Sequence, residues 1–414
     1  MKKIRIGVFG GGMRGRQLIS TFMLLNCEIV AVCERREEEL LKAQAAAGGV
    51  AAYREFDEFI RHPMDAVILT NDFHRHAPYA IACLERGLHV FCECISNGTM
   101  AEGVALARAY DASRAIYMLA ENYPQMLTNR EIKRVCDGGT LGKLLYAEGE
   151  YNHPGNPNDI QFKKDFTYTP THWRNYLPRT YYITHSLGPI MWATGATPRR
   201  VSAYACFAPI EGAVPTASRV GDRAAIITTQ NDDGSVFRVT GCAAFGGHHN
   251  SYRVCGTNGQ IESLRGMTDT VMLRYNGWQV PHGASAVSSY TPAWNDPDED
   301  LIKKSGHGGA DYLTARMFLD CVREGTQPPH PFHLYAALAM SSVAILGHRS
   351  MLAGGVPFDI PDLSSEADRA RYENDTATPF FSEDGTPPAL PCCSQADFSP
   401  TEEQLALFKR LIEE

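Results

Sequence analysis

The chain has 414 residues, of which 44% are hydrophobic and 21% charged, a balance typical of a globular enzyme long enough for two domains. Its net charge of −8 argues against a surface that binds nucleic acid or an anionic membrane. No apolar run reaches the roughly 18 residues of a membrane span, and an apolar strand begins too close to Met1 to leave room for a secretory signal. We therefore expect a cytoplasmic protein with no nucleic-acid or membrane partner.

A glycine-rich turn follows the first predicted strand, residues 4–9, and precedes a helix. Its sequence Gly10-Gly11-Gly12-Met13-Arg14-Gly15 has the G-x-G-x-x-G spacing of a dinucleotide-binding turn. The first glycine permits the tight turn, the second lets a diphosphate approach the backbone, and the third lets the helix pack on the strand. We assign Gly10, Gly12, Met13, Arg14 and Gly15 to the diphosphate of a bound cofactor at a helix N-terminus.

The carboxylate of Glu34 directly follows the second predicted strand, residues 28–33. A carboxylate at this point accepts hydrogen bonds from the adenosine ribose and would repel a 2′-phosphate, so the sequence predicts NAD rather than NADP. Arg35 and Arg36 follow at once and weaken this preference. Glu34 and Arg35 are both predicted to be cofactor-binding residues.

Strands and helices alternate through residues 1–122, which predicts an NAD-binding α/β domain with a doubly wound parallel sheet of the Rossmann type. The predicted strands are residues 4–9, 28–33, 65–70, 89–93 and 116–120, and the predicted helices are residues 17–25, 77–86 and 100–112. The ligand of such a sheet lies outside the carboxyl ends of the strands. The further cofactor-binding residues predicted at these ends are Thr70, Asn71, His76, Glu93 and Asn122.

The sequence pattern changes after Asn122. A helix at 127–137 and a strand at 143–151 precede a loop rich in Pro, Asn and Asp at 153–165. Long strands follow at 199–208, 224–231, 236–245 and 250–255. Hairpin turns are predicted at 232–234 and 256–259. This predicts a C-terminal α+β domain, residues 123–362, for substrate binding and oligomerisation. Its open, mainly antiparallel sheet is closed by helices at 310–323 and 334–353.

Residues 363–414 are predicted to form a wrapping tail that ends in a helix. Ser399 is the expected N-cap, Pro400 the first helical residue, and Glu402 the partner that completes a capping box.

Several segments resemble the Gfo/Idh/MocA oxidoreductases, and the likeness covers nearly the whole chain to about residue 362. Beyond the glycine turn they are Thr70-Asn71…His76-Ala77-Pro78-Tyr79-Ala80, Gly87…Val90-Phe91-Cys92-Glu93 and Gly139-Thr140-Leu141-Gly142. In that superfamily Glu93 would open a Glu-Lys-Pro motif whose lysine lies beside the nicotinamide and the reacting hydroxyl. Cys94 and Ile95 occupy the lysine and proline positions here, which counts against an ordinary dehydrogenase because the lysine helps relay the hydroxyl proton.

Other segments are similar to one branch of that superfamily, the NAD-dependent glycosidases typified by α-N-acetylgalactosaminidases. They are Tyr182-Ile183-Thr184-His185-Ser186-Leu187-Gly188-Pro189, Glu121-Asn122-x-x-x-Gln, Trp173-Arg174 and Gly306-His307-Gly308-Gly309-Ala310-Asp311-Tyr312. Tyr181 replaces the Asp that the superfamily carries four residues before its His, and Ser186 replaces a glycine of the branch. Gly241-Cys242-Ala243 stands roughly where the branch has His-Asp-Thr.

The resemblance implies an NAD-dependent glycoside hydrolase that works through transient oxidation. Hydride leaves ring carbon C3, a base removes the acidified C2 proton, the aglycone is eliminated, water adds, and the hydride returns, so the NAD is tightly bound and recycled. The expected catalytic residues are Tyr182, His185 and His307, with a base that is either a group of near-neutral pKa or a tyrosinate beside a positive charge. Tyr182 and His185 share a helix face, and His307 lies in a glycine loop.

Each of these residues also has a purely structural interpretation. Tyr182 could pack under the nicotinamide, His185 could be a cap or a core residue, and His307 could be a cap. Trp173 and Arg174 either clamp the cofactor or belong to a surface helix with a buried Trp. The predicted substrate-binding residues are His153, Tyr252, Arg253 and Tyr312, although the strands carrying His248-His249 and Tyr252-Arg253 face either the cleft or an oligomer partner.

No metal is predicted, and a divalent ion among His153, His185 and His307 is the alternative. Two other functions stay open: an NAD-dependent sugar or cyclitol dehydrogenase that releases NADH, and a non-catalytic NAD-binding sensor. In each case the partner is a small-molecule glycoside or sugar. The open sheet predicts a homodimer or homotetramer.

Overall fold

The computed structural model describes residues 3–267 and 269–413. Its first part is a six-stranded sheet in the order β3-β2-β1-β4-β5-β6, in which every neighbouring pair is parallel. The strands are β1 (Ile4–Phe9), β2 (Cys27–Cys33), β3 (Ala51–Tyr53), β4 (Ala66–Leu69), β5 (His89–Cys92) and β6 (Tyr117–Leu119). The connecting helices are α1 (Met13–Met23), α2 (Glu37–Ala46), α3 (Phe56–Phe59), α4 (His76–Glu85) and α5 (Met100–Ala112).

The predicted doubly wound parallel sheet is confirmed, and the bounds of β1 and α5 agree with the sequence analysis. Strand β4 has every residue buried, as expected for a strand covered by helices on both faces. Helix α5 begins where Thr99 and Glu102 form a capping box. The segment with α2, β3 and α3 was not predicted. The domain boundaries after residues 122 and 362 stay predictions.

The second part is built on a nine-stranded sheet in the order β14-β13-β12-β11-β7-β10-β9-β8-β15, in which only β7 and β10 pair in parallel among the described residues. Its strands are β7 (Leu144–Asn152), β8 (Pro198–Phe207), β9 (Asp222–Asn231), β10 (Val236–Ala243), β11 (His249–Gly256), β12 (Gly259–Ser263), β13 (Val271–Tyr275), β14 (Val287–Tyr290) and β15 (Phe358–Asp359). The helices are α6 (Leu127–Asp137), α7 (Ile160–Phe166), α8 (Thr184–Thr194), α9 (Glu299–Ile302), α10 (Ala310–Glu324), α11 (Leu334–Leu352), α12 (Glu366–Tyr372) and α13 (Glu402–Glu413). The open, mainly antiparallel sheet is confirmed.

Two predictions about this second part were wrong. The segment 153–165, expected to be a loop, contains the start of α7, because the Asp159 side chain accepts a hydrogen bond from Phe162 N and caps the helix. The last helix begins at Glu402, and Thr401 and Gln404 form its reciprocal cap, whereas the Ser399 hydroxyl accepts a hydrogen bond from Arg219.

Helix α8 packs on the inner face of the nine-stranded sheet and carries His185 there. The approach is close: a Cβ on Gly149 would lie 1.9 Å from Ser186 O, so only glycine allows it. Tyr252 of β11 donates a hydrogen bond of 2.6 Å to His185 O. These contacts between the sheet and α8 therefore fix the position of His185. No helix among the described residues combines the length and the hydropathy needed to cross a bilayer.

Candidate active site

A cavity of about 730 Å³ lies where the carboxyl ends of the parallel strands meet the inner side of the second sheet. Many residues predicted from the sequence line it: Met13, Arg14, Thr70, Asn71, His76, Glu93, Asn122, His153, Trp173, Arg174, Tyr182, His185 and His307. Its volume is in the range of small-molecule sites. Residues far apart in the sequence thus share one pocket.

The glycine turn fits a dinucleotide diphosphate. Gly10 has φ +103°, and a Cβ on Gly15 would lie 2.0 Å from Gly10 O, so neither position tolerates a side chain. Nothing lies within 4 Å of the Cβ position of Gly12, and no side chain caps α1. The N–H groups of the first turn of α1 are therefore available to an anion.

The residues around this turn also fit NAD. Glu34 lies at the end of β2 and accepts a hydrogen bond of 3.0 Å from Gly11 N, beside the diphosphate turn. The hydroxyl of Thr70 donates to Gly10 O at 2.7 Å and holds the turn in place. Buried Asn71 Oδ1 has no partner within the described protein, and both Asn71 and His76 line the cavity. Unpaired buried polar atoms of this kind are available to a ligand.

Glu121 and His185 form a buried carboxylate–imidazole pair. His185 Nδ1 lies 2.9 Å from Glu121 Oε1 and 3.0 Å from Oε2, and Glu121 is fully buried. Burial alone would raise the pKa of Glu121, but the charge of His185 and hydrogen bonds from His185 and Thr184 hold that pKa below its ordinary value. The carboxylate thus binds Nδ1 and leaves Nε2 of His185 for the cavity.

Cys94 lies against the same carboxylate, at the position where the resembled superfamily has its lysine. Its thiol donates a hydrogen bond of 3.2 Å to Glu121 Oε2. Burial and the charge of Glu121 raise the pKa of the Cys94 thiol well above its ordinary value. A buried neutral thiol thus does not supply the charged donor that a lysine ammonium would provide at this position.

Tyr182 lies in the aromatic wall of the cavity. Its ring centroid is 5.2 Å from that of His185 and 5.5 Å from that of Phe73. Burial raises the pKa of Tyr182 above its ordinary value, although the charge of Arg174 acts in the opposite direction. Burial therefore favours the neutral phenol form of Tyr182, and the identity of the base stays a prediction.

A second buried carboxylate, Asp311, holds the other predicted catalytic histidine. His307 Nδ1 lies 2.9 Å from Asp311 Oδ2, Asn122 donates to Asp311 Oδ1 at 2.7 Å, and Arg14 donates to both oxygens at 2.9 Å. Arg14 also donates to Glu93 at 2.6 Å. Burial would raise the pKa of Asp311, but the hydrogen bond from His307 and the charge of Arg14 hold it well below its ordinary value. This network joins the glycine turn to His307.

The two histidine–carboxylate pairs face one cavity with Tyr123 between them. The Tyr123 ring stacks on His185 with a centroid distance of 4.0 Å and lies 6.0 Å from His307. Tyr151 packs edge-on against His185 at 5.0 Å. Sequence reasoning assigned no role to Glu121, Asp311, Tyr123 or Tyr151. The only signal was that Glu121 and Asp311 occur in segments that carry the resemblance.

Three predicted substrate-binding residues lie outside this cavity. The Tyr252 ring is buried under α8, with its hydroxyl bound to His185 O. Arg253 is on the opposite face of the sheet and pairs with Glu148 at 2.8 Å. Tyr312 donates to Asp298 at 3.0 Å. The structure brings His153 into the cavity, with His248 4.6 Å away between ring centroids, whereas His249 pairs with Glu150.

Trp173 and Arg174 belong to a short 3-10 turn over the cavity. The indole stacks on Phe73 with a centroid distance of 5.4 Å, and the guanidinium of Arg174 lies over the Trp173 ring at 4.4 Å. Burial lowers the pKa of Arg174 below its ordinary value. Within residues 3–267 and 269–413, no three His, Cys, Asp or Glu side chains are grouped closely enough to hold a metal ion.

Three family models match the chain. Residues 4–121 match the oxidoreductase family with an NAD-binding Rossmann fold, residues 129–262 match the GFO/IDH/MocA C-terminal domain, and residues 223–368 match the glycosyl hydrolase 109 C-terminal domain. Among curated relatives, a glycosyl hydrolase family 109 protein of Streptomyces filamentosus is 25% identical over 87% of this chain and 77% of its own length. A protein of the same name from Stenotrophomonas maltophilia is 22% identical over 93% of both chains.

Solved structures with a similar fold include levoglucosan dehydrogenase in complex with NADH and levoglucosan, with a TM-score of 0.72 and 18% identity over 87% of this chain and all of that one. The myo-inositol 2-dehydrogenase of Lactobacillus plantarum has a TM-score of 0.65 and 20% identity over the same shares. At this identity the likeness shows the fold.

Proposed function

The chain belongs to the Gfo/Idh/MocA superfamily of NAD-dependent enzymes and carries a glycosyl hydrolase 109 C-terminal domain, and on this basis we propose that it is a glycoside hydrolase acting through transient oxidation of the sugar. When bound, NAD supplies a hydride acceptor that returns the hydride at the end of the cycle. The residues that would hold it are the glycine turn, Glu34 and the ends of β4 to β6.

The observation that carries this proposal is the presence of two histidine–carboxylate pairs on one cavity. Elimination of an aglycone requires two separate proton removals: one from the hydroxyl at C3 as this carbon becomes a ketone, and one from C2, which the ketone acidifies. A simple dehydrogenase requires only the first. Two bases therefore suit an eliminative hydrolase better than a dehydrogenase.

His185 is proposed as the base nearest the reacting carbons. Glu121 fixes Nδ1–H, so Nε2 accepts a proton, and the resulting imidazolium is stabilised by the buried carboxylate. Burial of Glu121 keeps water from competing for this hydrogen bond. The high pKa of the Cys94 thiol leaves the histidine to take over the role of the missing lysine.

Tyr182 is proposed to donate a hydrogen bond to the oxygen at C3. A neutral phenol can donate to a ketone and to the enolate that forms when the C2 proton leaves, where negative charge develops on this oxygen. The neighbouring guanidinium of Arg174 favours the same charge.

His307 is proposed to handle the second proton. Asp311 binds its Nδ1 and leaves Nε2 exposed to the cavity, where it can accept the C2 proton and return a proton to the leaving aglycone or to the carbon after water adds. The His307 side chain is 35% exposed, whereas that of His185 is 13% exposed, so His307 is the one closer to solvent water. Net oxidation is zero, and the protein is expected to retain its NAD throughout.

A sugar or cyclitol dehydrogenase is the second candidate, and the dehydrogenases of similar fold favour it. The test is to assay the protein, purified without added NAD, against p-nitrophenyl α- and β-glycosides in D₂O. Aglycone release with deuterium at C2 and no net NADH supports the hydrolase. NADH accumulation from free sugar and NAD⁺, with no aglycone release, would establish the dehydrogenase, and tight NAD binding with neither activity would indicate a sensor.

Three substitutions test the proposed roles of the active-site residues in the same assay. Tyr182→Phe and His185→Ala are each expected to abolish turnover while bound NAD is retained, and His307→Ala is expected to lower it by about 10²- to 10⁴-fold. His249→Ala is the matched control, since His249 pairs with Glu150 outside the cavity. Wild-type rates in Tyr182→Phe and His185→Ala would contradict the assignment.

A further inference from the structure

The cavity is lined by a group of three cations, here called the cationic wall, consisting of Lys163, Arg179 and Arg223. They come from α7, from the segment before α8 and from the start of β9. None of the three forms an ion pair with any carboxylate in the described part of the chain. Two other cations line the cavity: Arg14 is neutralised by Glu93 and Asp311, whereas Arg174 has no ion pair among the described residues and lies over the Trp173 ring.

Neutral backbone carbonyl groups hold the side chains of the cationic wall in place. Arg179 donates to Asp222 O at 3.0 Å and to Cys242 O at 3.3 Å, and Arg223 donates to Ala208 O at 2.6 Å. The Lys163 ammonium donates to the carbonyl oxygens of Pro157 and Pro215. These bonds orient the cations but leave their charge uncompensated, so each retains N–H groups for an anion.

The surroundings make this charge costly unless a ligand balances it. All three side chains are partly buried, and burial lowers the pKa of Lys163 and of Arg223 below their ordinary values. Two carboxylates line the cavity among the described residues. Glu93 pairs with Arg14, whereas Asp159 caps α7 and its charge partly offsets that of Lys163. A chain with net charge −8 thus has a locally positive pocket.

We propose that the cationic wall binds an anionic oxygen substituent of the substrate, so that the glycoside processed here is acidic. The identification of the ligand as a glycoside substrate rests on the proposed function, whereas the binding of an anion at the cationic wall does not. The shared chemistry is an oxyanion on the sugar, either the carboxylate of a uronic acid or a sulfate or phosphate ester. Cationic side chains held in fixed directions also orient the sugar in the pocket with respect to His185 and Tyr182.

Binding is measured first, because it does not require turnover. The NAD-loaded protein is titrated calorimetrically with matched methyl glycosides in the gluco and galacto series: the neutral hexoside, the hexosiduronate, the 6-sulfate and the 6-phosphate. We expect at least one acidic member to bind about tenfold or more tightly than its neutral parent, as charge-assisted hydrogen bonds imply. The tightest acidic member identifies the source of the oxyanion.

Two variants locate the effect. Arg223→Gln removes the charge and keeps a donor for Ala208 O, and Lys163→Met removes the other charge; each is expected to cost about tenfold in affinity for the acidic ligand and to leave the neutral one unchanged. Arg274→Met is the matched control, since Arg274 pairs with Glu262 outside the cavity. Equal binding of acidic and neutral members, or an acidic preference that survives Arg223→Gln combined with Lys163→Met, would overturn the proposal.

The failure of this inference differs from the failure of the proposed function. Acid-selective binding without aglycone release from the corresponding p-nitrophenyl glycosides would retain the anion site and reject the hydrolase. Release from neutral glycosides at rates equal to those from acidic ones, with equal affinities, would retain the hydrolase and reject the anion site.

Discussion

The Cys94 thiol and the Glu121 carboxylate are 3.2 Å apart, and the same carboxylate holds His185 at 2.9 Å. In the resembled superfamily a lysine stands at the position of Cys94. An ammonium there would compete with His185 for Glu121, whereas a thiol adds a weak donor and leaves the carboxylate to the histidine. The cysteine thus favours a histidine base in this site.

Glu121→Gln is expected to lower the rate of aglycone release by about 10²- to 10⁴-fold, since the amide no longer stabilises the imidazolium of His185. Cys94→Ser, which keeps a donor to the carboxylate, is expected to stay within about threefold of wild type because it leaves this pair intact. Initial rates and bound NAD are measured for both. A glutamine variant as active as wild type would exclude the pair from catalysis.

Arg14→Met is expected to destabilise the protein by about 3–5 kcal/mol, because the partly buried Glu93 and the buried Asp311 both lose their cation. The variant is also expected to lose bound NAD, since Arg14 belongs to the glycine turn. The measurements are urea unfolding and the absorbance of released cofactor. Arg134→Met is the control, because Arg134 forms an exposed ion pair with Glu131 outside the cavity; equal midpoints for the two variants would contradict the prediction.

Glu383 in the C-terminal tail neutralises two arginines beside the cofactor turn. It accepts from Arg35 at 2.5 Å and also pairs with Arg75. Glu383→Gln frees both guanidinium groups to bind the 2′-phosphate of NADP. We expect the ratio of NADP affinity to NAD affinity to rise by about two- to fivefold, which corresponds to the free energy of one exposed ion pair. Cofactor exchange followed by quantification of bound NAD and NADP measures it. An unchanged ratio would mean that Glu34 alone sets the preference.

Stability in acid is expected to depend on Asp296. Hydrogen bonds from Arg316 lower the pKa of Asp296 from 3.8 to about 2, so the pair stabilises the fold fully above pH 3.8 and loses this contribution as the pH falls through 2. Asp296→Asn is expected to cost about 1 kcal/mol at pH 7 and only a small part of that at pH 2. Unfolding is measured against pH beside Asp300→Asn, whose exposed carboxylate has no ion pair among the described residues; a difference at pH 2 as large as that at pH 7 would contradict the assignment.

Local patterns predicted much of the secondary structure. The strand of residues 4–9, the helix α5 and the hairpin turn after β9 follow from apolar runs, capping residues and glycines within a few positions of one another. The pattern was weaker for α7 and for the cap of α13. Several capping residues lie close together there, and only the packed chain decides which of them begins the helix.

The sequence by itself determined the cofactor turn, the two kinds of sheet and the candidate histidines, because these depend on residue type and short spacing. Only the tertiary structure decided which carboxylate holds which histidine. Glu121 and His185 are 64 residues apart, and Arg14 and Asp311 are 297 apart. Such pairs form where separate strand and helix ends meet, and burial there makes each hydrogen bond strong and each unpaired charge costly. No local sequence pattern indicates which of these distant residues are in contact.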